Sequence, residues 1–338
     1  MLEKPDIDDA LILACLRDAF GIDAHTLSFL PIGADANTAV YRAEAADVSL
    51  FVKLRRGDYN AATTAVPKAL HDAGVAHVIA PIPNQHGALT SPVADGQLAV
   101  FPFIVGHDGW TRVLTASDWV TFGRALKQFH TTPLPAVVTA HIARETCDPA
   151  WRDKVTALIS TLDRWIVDDP VTYGLADLLR ERRWQIESLI SHARHLAGHL
   201  RSYPPPQIVC HGDIHVGNVL ITPDGMLYLV DWDTLVYAPK ERDLMFVGAG
   251  LGSSDPLGPD AQAALFYEGY GPVQVDLSAL AYYRCERIVE DIAAYCDLIL
   301  LTLPDNTDRA NGLAQLASQF APGSVVDIAL ATAERPLH

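Results

Sequence analysis

The sequence predicts an α+β protein in two parts, β-rich at its start and mainly helical afterwards. Three observations carry this. Short apolar runs of strand length recur near His25–Ile32, Ala39–Ala43, Val48–Leu54 and Gln97–Phe101. From about Thr115 the period changes, with Trp119, Phe122, Leu126 and Phe129 falling at helical spacing behind a candidate N-cap. Finally, 338 residues is more than one typical core holds, which suits two lobes.

Taken in order, Leu11, Leu13, Leu16 and Phe20 form an amphipathic pattern that Gly21 stops. Three strands follow. Between the first two lies Gly33-Ala34-Asp35-Ala36-Asn37-Thr38, a run of small residues whose backbone N–H groups could cradle phosphate oxygens. An ordinary hairpin turn is the alternative these residues leave open, and Asp35 and Asn37 are the candidate contacts. Lys53 sits inside the apolar strand Leu50-Phe51-Val52-Lys53-Leu54, either guarding an edge or serving as a functional charge. The next helix, about Tyr59 to Ala73, contains no Glu; Asp58 and Asp72 are the nearest carboxylates. After the strand at 97–101, residues 102–106 read as a linker. Helices are then expected over about 174–200, ended by Tyr203-Pro204-Pro205-Pro206, and near 240–250, 261–269 and 277–301.

The most informative stretch is His211-Gly212-Asp213-Ile214-His215-Val216-Gly217-Asn218, followed thirteen residues later by Asp231. Moving a γ-phosphoryl group requires a base to orient the attacking hydroxyl and oxygen ligands for the Mg²⁺ that bridges the phosphates. An Asp at the start of a loop, an Asn five residues on and a second Asp after the next hairpin can supply both. The flanks agree: Gln207–Cys210 leads in as a strand and Val219–Ile221 leads out. Thr222-Pro223-Asp224-Gly225 turns, and Met226–Val230 returns to Asp231. A polar turn in which Asp213 and Asn218 merely cap the backbone would not require that Asp. Zinc at Cys210, His211 and His215 is disfavoured, because no paired CxxC or HxxxH completes a ligand set.

These residues resemble the HGDxxxxN signature of the aminoglycoside phosphotransferase and choline kinase-like family, distant relatives of protein kinases. The resemblance implies a two-lobed protein kinase-like fold. A small β-rich nucleotide-binding lobe would cover 1–101, a hinge 102–106, and a larger helical lobe with the catalytic loop and substrate site 107–338. It implies Asp213 as catalytic base, Asn218 and Asp231 as Mg²⁺ ligands, and Lys53 gripping the α- and β-phosphates of ATP. It places the adenine against the linker, with the Ile104 N–H donating to the ring and the Pro102 C=O accepting from it; GTP is not excluded, since backbone groups make that choice. His211 would steady the loop, and Asp243 would tie the following segment back to it. Family lysines like Lys53 usually pair with a Glu on the next helix, so here Asp58 or the phosphates alone would have to hold it.

Within this family, Ala238–Phe246, Phe266–Gly271 and Tyr282–Ala293, with Gly33-Ala34-Asp35 and Leu70-His71-Asp72, are similar to the spectinomycin phosphotransferases. Those enzymes modify the 9-hydroxyl of an aminocyclitol antibiotic. The similarity spans nearly the whole chain, dense in its second half and thin between about 130 and 200. It implies a cytoplasmic ATP-dependent kinase that phosphorylates a hydroxyl of an aminocyclitol or aminoglycoside, spectinomycin foremost, and so confers resistance. The same transfer to a nucleoside antibiotic, an amino sugar or a choline-like metabolite is the alternative. A nucleotide-binding module without turnover is a third reading, resting on the missing helix Glu. On the helix at 277–301, Glu286, Glu290 and Asp297 share one face and Ile288, Ile292, Tyr295 and Ile299 the opposite one. Asp233, Glu241, Glu286 and Glu290 are the candidate partners for a protonated amine.

Composition narrows the partners. The 41 acidic residues outnumber 25 basic ones, giving a net charge of −16 that repels nucleic acid and favours a cationic small molecule, although many proteins are acidic for solubility alone. Five scattered cysteines suit reduced thiols rather than a disulfide framework. The start lacks the pattern of a secretion signal, and no apolar run approaches the ~20 residues that span a bilayer. Cytoplasmic location and no membrane partner are therefore expected.

Overall fold

A computed structural model describes residues 4–33, 37–165, 169–250, 257–302 and 307–335. The chain opens with α1 (Asp9–Phe20), then β1 (Thr26–Leu30), β2 (Thr38–Glu44), β3 (Ser49–Arg56), α2 (Ala62–Asp72), β4 (Ser91–Val93), β5 (Gly96–Pro102) and β6 (His107–Asp108). It continues through α3 (Ala116–Thr131), α4 (Ala136–Thr139), β7 (Ala143–Arg144), α5 (Ala150–Thr161), α6 (Pro170–Glu181) and α7 (Arg183–Ser202). The signature region holds β8 (Ile208–Cys210), β9 (Val219–Ile221), β10 (Leu227–Leu229) and β11 (Val236–Ala238). Helices α8 (Glu241–Leu244), α9 (Pro259–Tyr270), α10 (Leu277–Leu301), α11 (Thr307–Ser318) and α12 (Val325–Ala333) complete it. Among the described residues no helix is long and apolar enough to cross a membrane.

The chain divides into two compact units. The first comprises Met1–Arg112, Arg124–Ile142 and Val216–Leu235; the second comprises Val113–Gly123, Ala143–His215 and Val236–His338.

The first unit is built on an antiparallel sheet of order β1-β2-β3-β5-β4. Strand alternation sets its faces: in β3, Leu50, Val52 and Leu54 are buried. They pack with Leu98 and Val100 of β5 and Ile12, Leu16 and Phe20 of α1. Lys53, one residue out of phase, is turned to the opposite face. The expected helix boundaries are met, since Asp8 accepts the Ala10 N–H at the start of α1 and Gly21, at φ 71°, ends it. A smaller sheet, β10-β9-β6, completes this unit.

The second unit gathers around α10. Ile288, Val289, Ile292, Cys296 and Ile299 of α10 meet Val155 and Ile159 of α5, Leu175 and Leu179 of α6, and Ile186 and Leu189 of α7. Helix α10 has the span that periodicity indicated. The start of α3 is held by a reciprocal capping box: the Asp118 N–H donates to Thr115 Oγ1 at 3.3 Å and the Thr115 N–H to Asp118 Oδ2 at 2.9 Å. Two expectations need correction. The stretch 174–200 is two helices, broken at Arg182 (φ −98°, ψ 7°) without a glycine or proline to mark it. The helix expected near 240–250 closes at Leu244, and Gly248 and Gly250 follow at φ 63° and 76°. All five cysteines are free thiols, as expected.

Helices α3 and α9 approach backbone to backbone at Gly123, where a Cβ would lie 2.0 Å from the Phe266 carbonyl oxygen and 2.7 Å from the Tyr270 nitrogen. Gly123→Ala should therefore destabilise the fold by about 3 kcal/mol, the overpacking cost outweighing the ~1 kcal/mol that Ala gains in a helix. Urea unfolding checks this; an unchanged midpoint would contradict the close approach.

Candidate active site

In the second unit the signature begins where β8 ends. The backbone N–H groups of His211 and Gly212 donate to Oδ2 and Oδ1 of Asp243 at 2.8 and 2.7 Å. Asp243 is buried, so the two charge-assisted bonds also satisfy its carboxylate. Gly212 stands at φ 86°, a conformation that a side chain would strain. The loop tightens further as the His215 N–H donates to the Asp213 C=O at 3.0 Å. Asp213 is half-buried. Its Oδ1 lies 2.5 Å from Nη1 of Arg287, and its Oδ2 lies 3.6 Å from Nε2 of His215. Arg287 also donates through Nε to Asp291 Oδ1 at 2.9 Å, and Asp291 Oδ2 accepts from Gln319 Nε2 at 3.0 Å. Burial works against the charge on Arg287, but Asp291 and Asp213 together raise its pKa.

In the first unit the β9–β10 hairpin brings the metal candidates to one end. Val219 pairs with Leu229, and just beyond that pair the Val230 N–H donates to the Asn218 C=O at 3.0 Å. Asp231 follows in the left-handed region (φ 64°, ψ 66°), a strain that a non-glycine residue bears only where its surroundings impose it. The amide oxygen of Asn218 and the carboxylate of Asp231 are the hard oxygen donors Mg²⁺ takes, so these residues fit that ion.

Lys53 Nζ lies 3.0 Å from Asp231 Oδ1 and 2.6 Å from Asp233 Oδ2. Burial depresses the lysine's pKa, yet the two carboxylates more than reverse this and leave it raised. This corrects the expectation that Asp58 or phosphates alone would hold it. Asp58 is exposed, and Asp72 pairs with Lys68 at 2.6 Å. Asp233, expected at the substrate end, is turned to the lysine. The short turn Trp232–Thr234 fixes it, with buried Trp232 donating to the Leu229 C=O at 3.2 Å and packing edge-on against Phe129.

The linker turns two backbone groups away from the strand ladder. The Phe103 N–H donates to Ser49 O at 3.0 Å, which makes Leu50 and Pro102 a non-hydrogen-bonded pair and turns the Pro102 C=O away from β3. Among the described residues the Ile104 N–H has no protein acceptor. Pro102 and Ile104 also border an open hollow of about 360 Å³ walled by His71, residues 74–76 and 78–80, and Tyr228; Lys53 and Asp231 are not among its walls. Asp35 lies outside the described residues. Asn37 is exposed, and its C=O accepts from the Arg56 N–H at 2.8 Å.

The acidic candidates of the second unit do not form one wall. Glu241 is buried, accepting the Asp276 N–H at 2.9 Å and pairing with Lys240 at 2.8 Å. Glu286 is buried 3.2 Å from Arg152, whose guanidinium also donates to the carbonyls of Ala193, Cys147 and Asp148. Asp297 pairs with Lys154. Glu290 is half-buried. The reason is that neighbours surround α10, so the face carrying these acids is largely interior.

Residues 28–286 match the model of the phosphotransferase enzyme family. The chain belongs to this family. It is an O-phosphotransferase with the expected kinase-like α+β fold. The crystal structure of spectinomycin phosphotransferase APH(9)-Ia in complex with ADP and spectinomycin is 33% identical to it, covering 97% of this chain and 99% of that one with a TM-score of 0.88. An AMP-bound complex of APH(9)-Ia is 32% identical, with 98% and 100% covered and a TM-score of 0.84. Protein StrN of Streptomyces griseus is 26% identical over 242 residues, 67% of this chain and 71% of that protein.

Sequence reasoning about this phosphotransferase missed Arg287 and Asp291 beside Asp213. Their i, i+4 spacing on α10 was the one available signal. A different consequence follows from Glu286. Burial pushes its carboxyl up to about 7 from 4.5, with Arg152 only partly opposing. Between those values the folded protein holds a proton that the unfolded chain has lost, so this contribution to stability falls as pH rises through the window. Melting temperatures of the native protein and Glu286→Gln, compared from about pH 5 to about pH 8, should show the native protein losing ground. A constant difference would contradict the burial of a protonatable carboxyl.

Proposed function

We propose that this phosphotransferase moves the γ-phosphoryl of ATP onto a hydroxyl of an aminocyclitol antibiotic, with spectinomycin as the substrate and resistance as the consequence. The observation that carries this reading is the near full-length likeness to an enzyme solved with both ADP and spectinomycin. The net charge of −16 suits a substrate bearing protonated amines. The acceptor at Pro102, turned away from β3, and the donor at Ile104 match adenine, whose amino group donates and whose ring nitrogen accepts; guanine would set an acceptor against Pro102. This supports ATP.

In this reading 1–101 carries the nucleotide, 102–106 is the hinge, and 107–338 carries the acceptor and the catalytic loop. Lys53 holds the α- and β-phosphates, and Asp233 holds Lys53. Asn218 and Asp231 bind Mg²⁺, which when present supplies positive charge to the phosphate oxygens. Asp213 accepts the proton of the substrate hydroxyl as its oxygen attacks the γ-phosphorus; the bond to the bridging oxygen breaks, and ADP leaves. Substrate-side contacts of Glu290 remain part of the proposal, whereas Glu241 and Glu286 are engaged within the fold.

An ADP-release assay over spectinomycin, other aminoglycosides, a nucleoside antibiotic, an amino sugar and choline tests the substrate. Spectinomycin should give turnover well above the water background. Turnover with another compound and none with spectinomycin would overturn the substrate while leaving phosphoryl transfer intact. Replacing Asp213 with Ala should cut kcat by roughly 10³-fold and leave ATP affinity unchanged; near-normal turnover would remove Asp213 from the chemistry. Asp233→Ala should raise the KM for ATP about tenfold, the loss of roughly one charge-assisted hydrogen bond. An unaltered KM would show that Lys53 needs no anchor there.

A further inference from the structure

We propose that Arg287 positions the carboxylate of Asp213 for the acceptor hydroxyl, at the centre of a chain running from Gln319 through Asp291 and Arg287 to Asp213. This rests on the reading of Asp213 as the base. The loop's backbone is already fixed by Asp243, but a backbone restraint leaves the Asp213 side chain its own torsions. A base that must meet one hydroxyl gains from losing that freedom before substrate arrives.

Arg287 supplies the second restraint from outside the motif. It comes from α10, 74 positions along the chain from Asp213. Its Nη1 takes Oδ1 of Asp213 at 2.5 Å, while Nε is held by Asp291 at 2.9 Å. Asp291 is itself fixed by Gln319 at 3.0 Å. The guanidinium also lies over the Phe246 ring, 5.6 Å from its centroid. A planar guanidinium can bridge two carboxylates at fixed angles, whereas a lysine ammonium carries its donors at one point. The arrangement assigns Oδ1 of Asp213 to Arg287 and directs Oδ2, on the His215 side, to the acceptor. Arg287 neither gives nor takes a proton; the hydroxyl proton goes to Asp213, and Arg287 acts only by holding it. The charged groups around the pair are Asp291 and Glu290 on α10 and His215 on the loop.

The test uses the full-length enzyme, MgATP and the acceptor identified by the ADP-release assay, spectinomycin first. Arg287→Ala should lower kcat about 100-fold, the order expected for a misaligned reacting group, with the KM for ATP within about threefold of normal. Arg287→Lys should recover only a small part of that loss, and added guanidinium chloride should restore part of the Arg287→Ala activity. Asp291→Asn keeps the volume and the Gln319 contact, and should lower kcat about tenfold at unchanged KM for ATP. The proposal is overturned if Arg287→Ala and Asp291→Asn turn over normally, if Lys substitutes fully, or if guanidinium restores nothing to a folded Arg287→Ala enzyme. Asp213→Asn run alongside separates the two readings. An active Asp213→Asn enzyme defeats the base assignment, while an inactive one beside a normal Arg287→Ala enzyme defeats the positioning role alone.

Discussion

The carboxylate of Asp243 is the restraint on which the rest of the signature loop depends. A buried ionised carboxylate is unfavourable unless it is hydrogen-bonded, and here successive N–H groups of His211 and Gly212 satisfy it. The bonds require Gly212 to stay in its left-handed conformation, and that in turn aims Asp213. Hydrogen bonds to a charged acceptor are each worth about 1.5–3 kcal/mol, and losing the carboxylate would also strand two buried donors. A charge that looks peripheral in the sequence is thus the physical origin of the loop's shape.

A parallel economy operates in the first unit. A largely buried lysine needs counter-charge, and α2 offers none to Lys53. The Val230–Asp233 segment supplies it twice, through Asp231 and Asp233. Asp231 reaches the lysine from a strained backbone, and the hairpin places the same residue beside Asn218. One short segment therefore serves both Lys53 and the candidate metal ligands. The missing helix Glu, which alone favoured a protein without turnover, has a physical substitute.

Much of the fold was legible because local patterns agree with tertiary structure. The alternation in β3 and β5, the glycine stop after α1, the Thr115 cap and the span of α10 all follow from neighbouring residues. The break at Arg182 was not, since no residue there opposes a helix. Strands β6, β7 and β11 are two or three residues long and exist only because partners distant in sequence complete their ladders. The site divided in the same way. Asp213, Asn218, Asp231 and Lys53 stand out by spacing and context, whereas Arg287 meets Asp213 through the packing of α10. Glu286, a candidate substrate partner by its place on one face of α10, is instead buried against Arg152, because periodicity reports which residues share a face and not what covers it.

On the proposed reading, this chain transfers a γ-phosphoryl directly to a hydroxyl. A ³¹P NMR record of the reaction with MgATP and spectinomycin tests it most directly. The γ-resonance should disappear in step with growth of a phosphomonoester resonance, one for each ADP formed. Inorganic phosphate as the sole new signal, or no consumption of ATP with any hydroxyl acceptor, would contradict it.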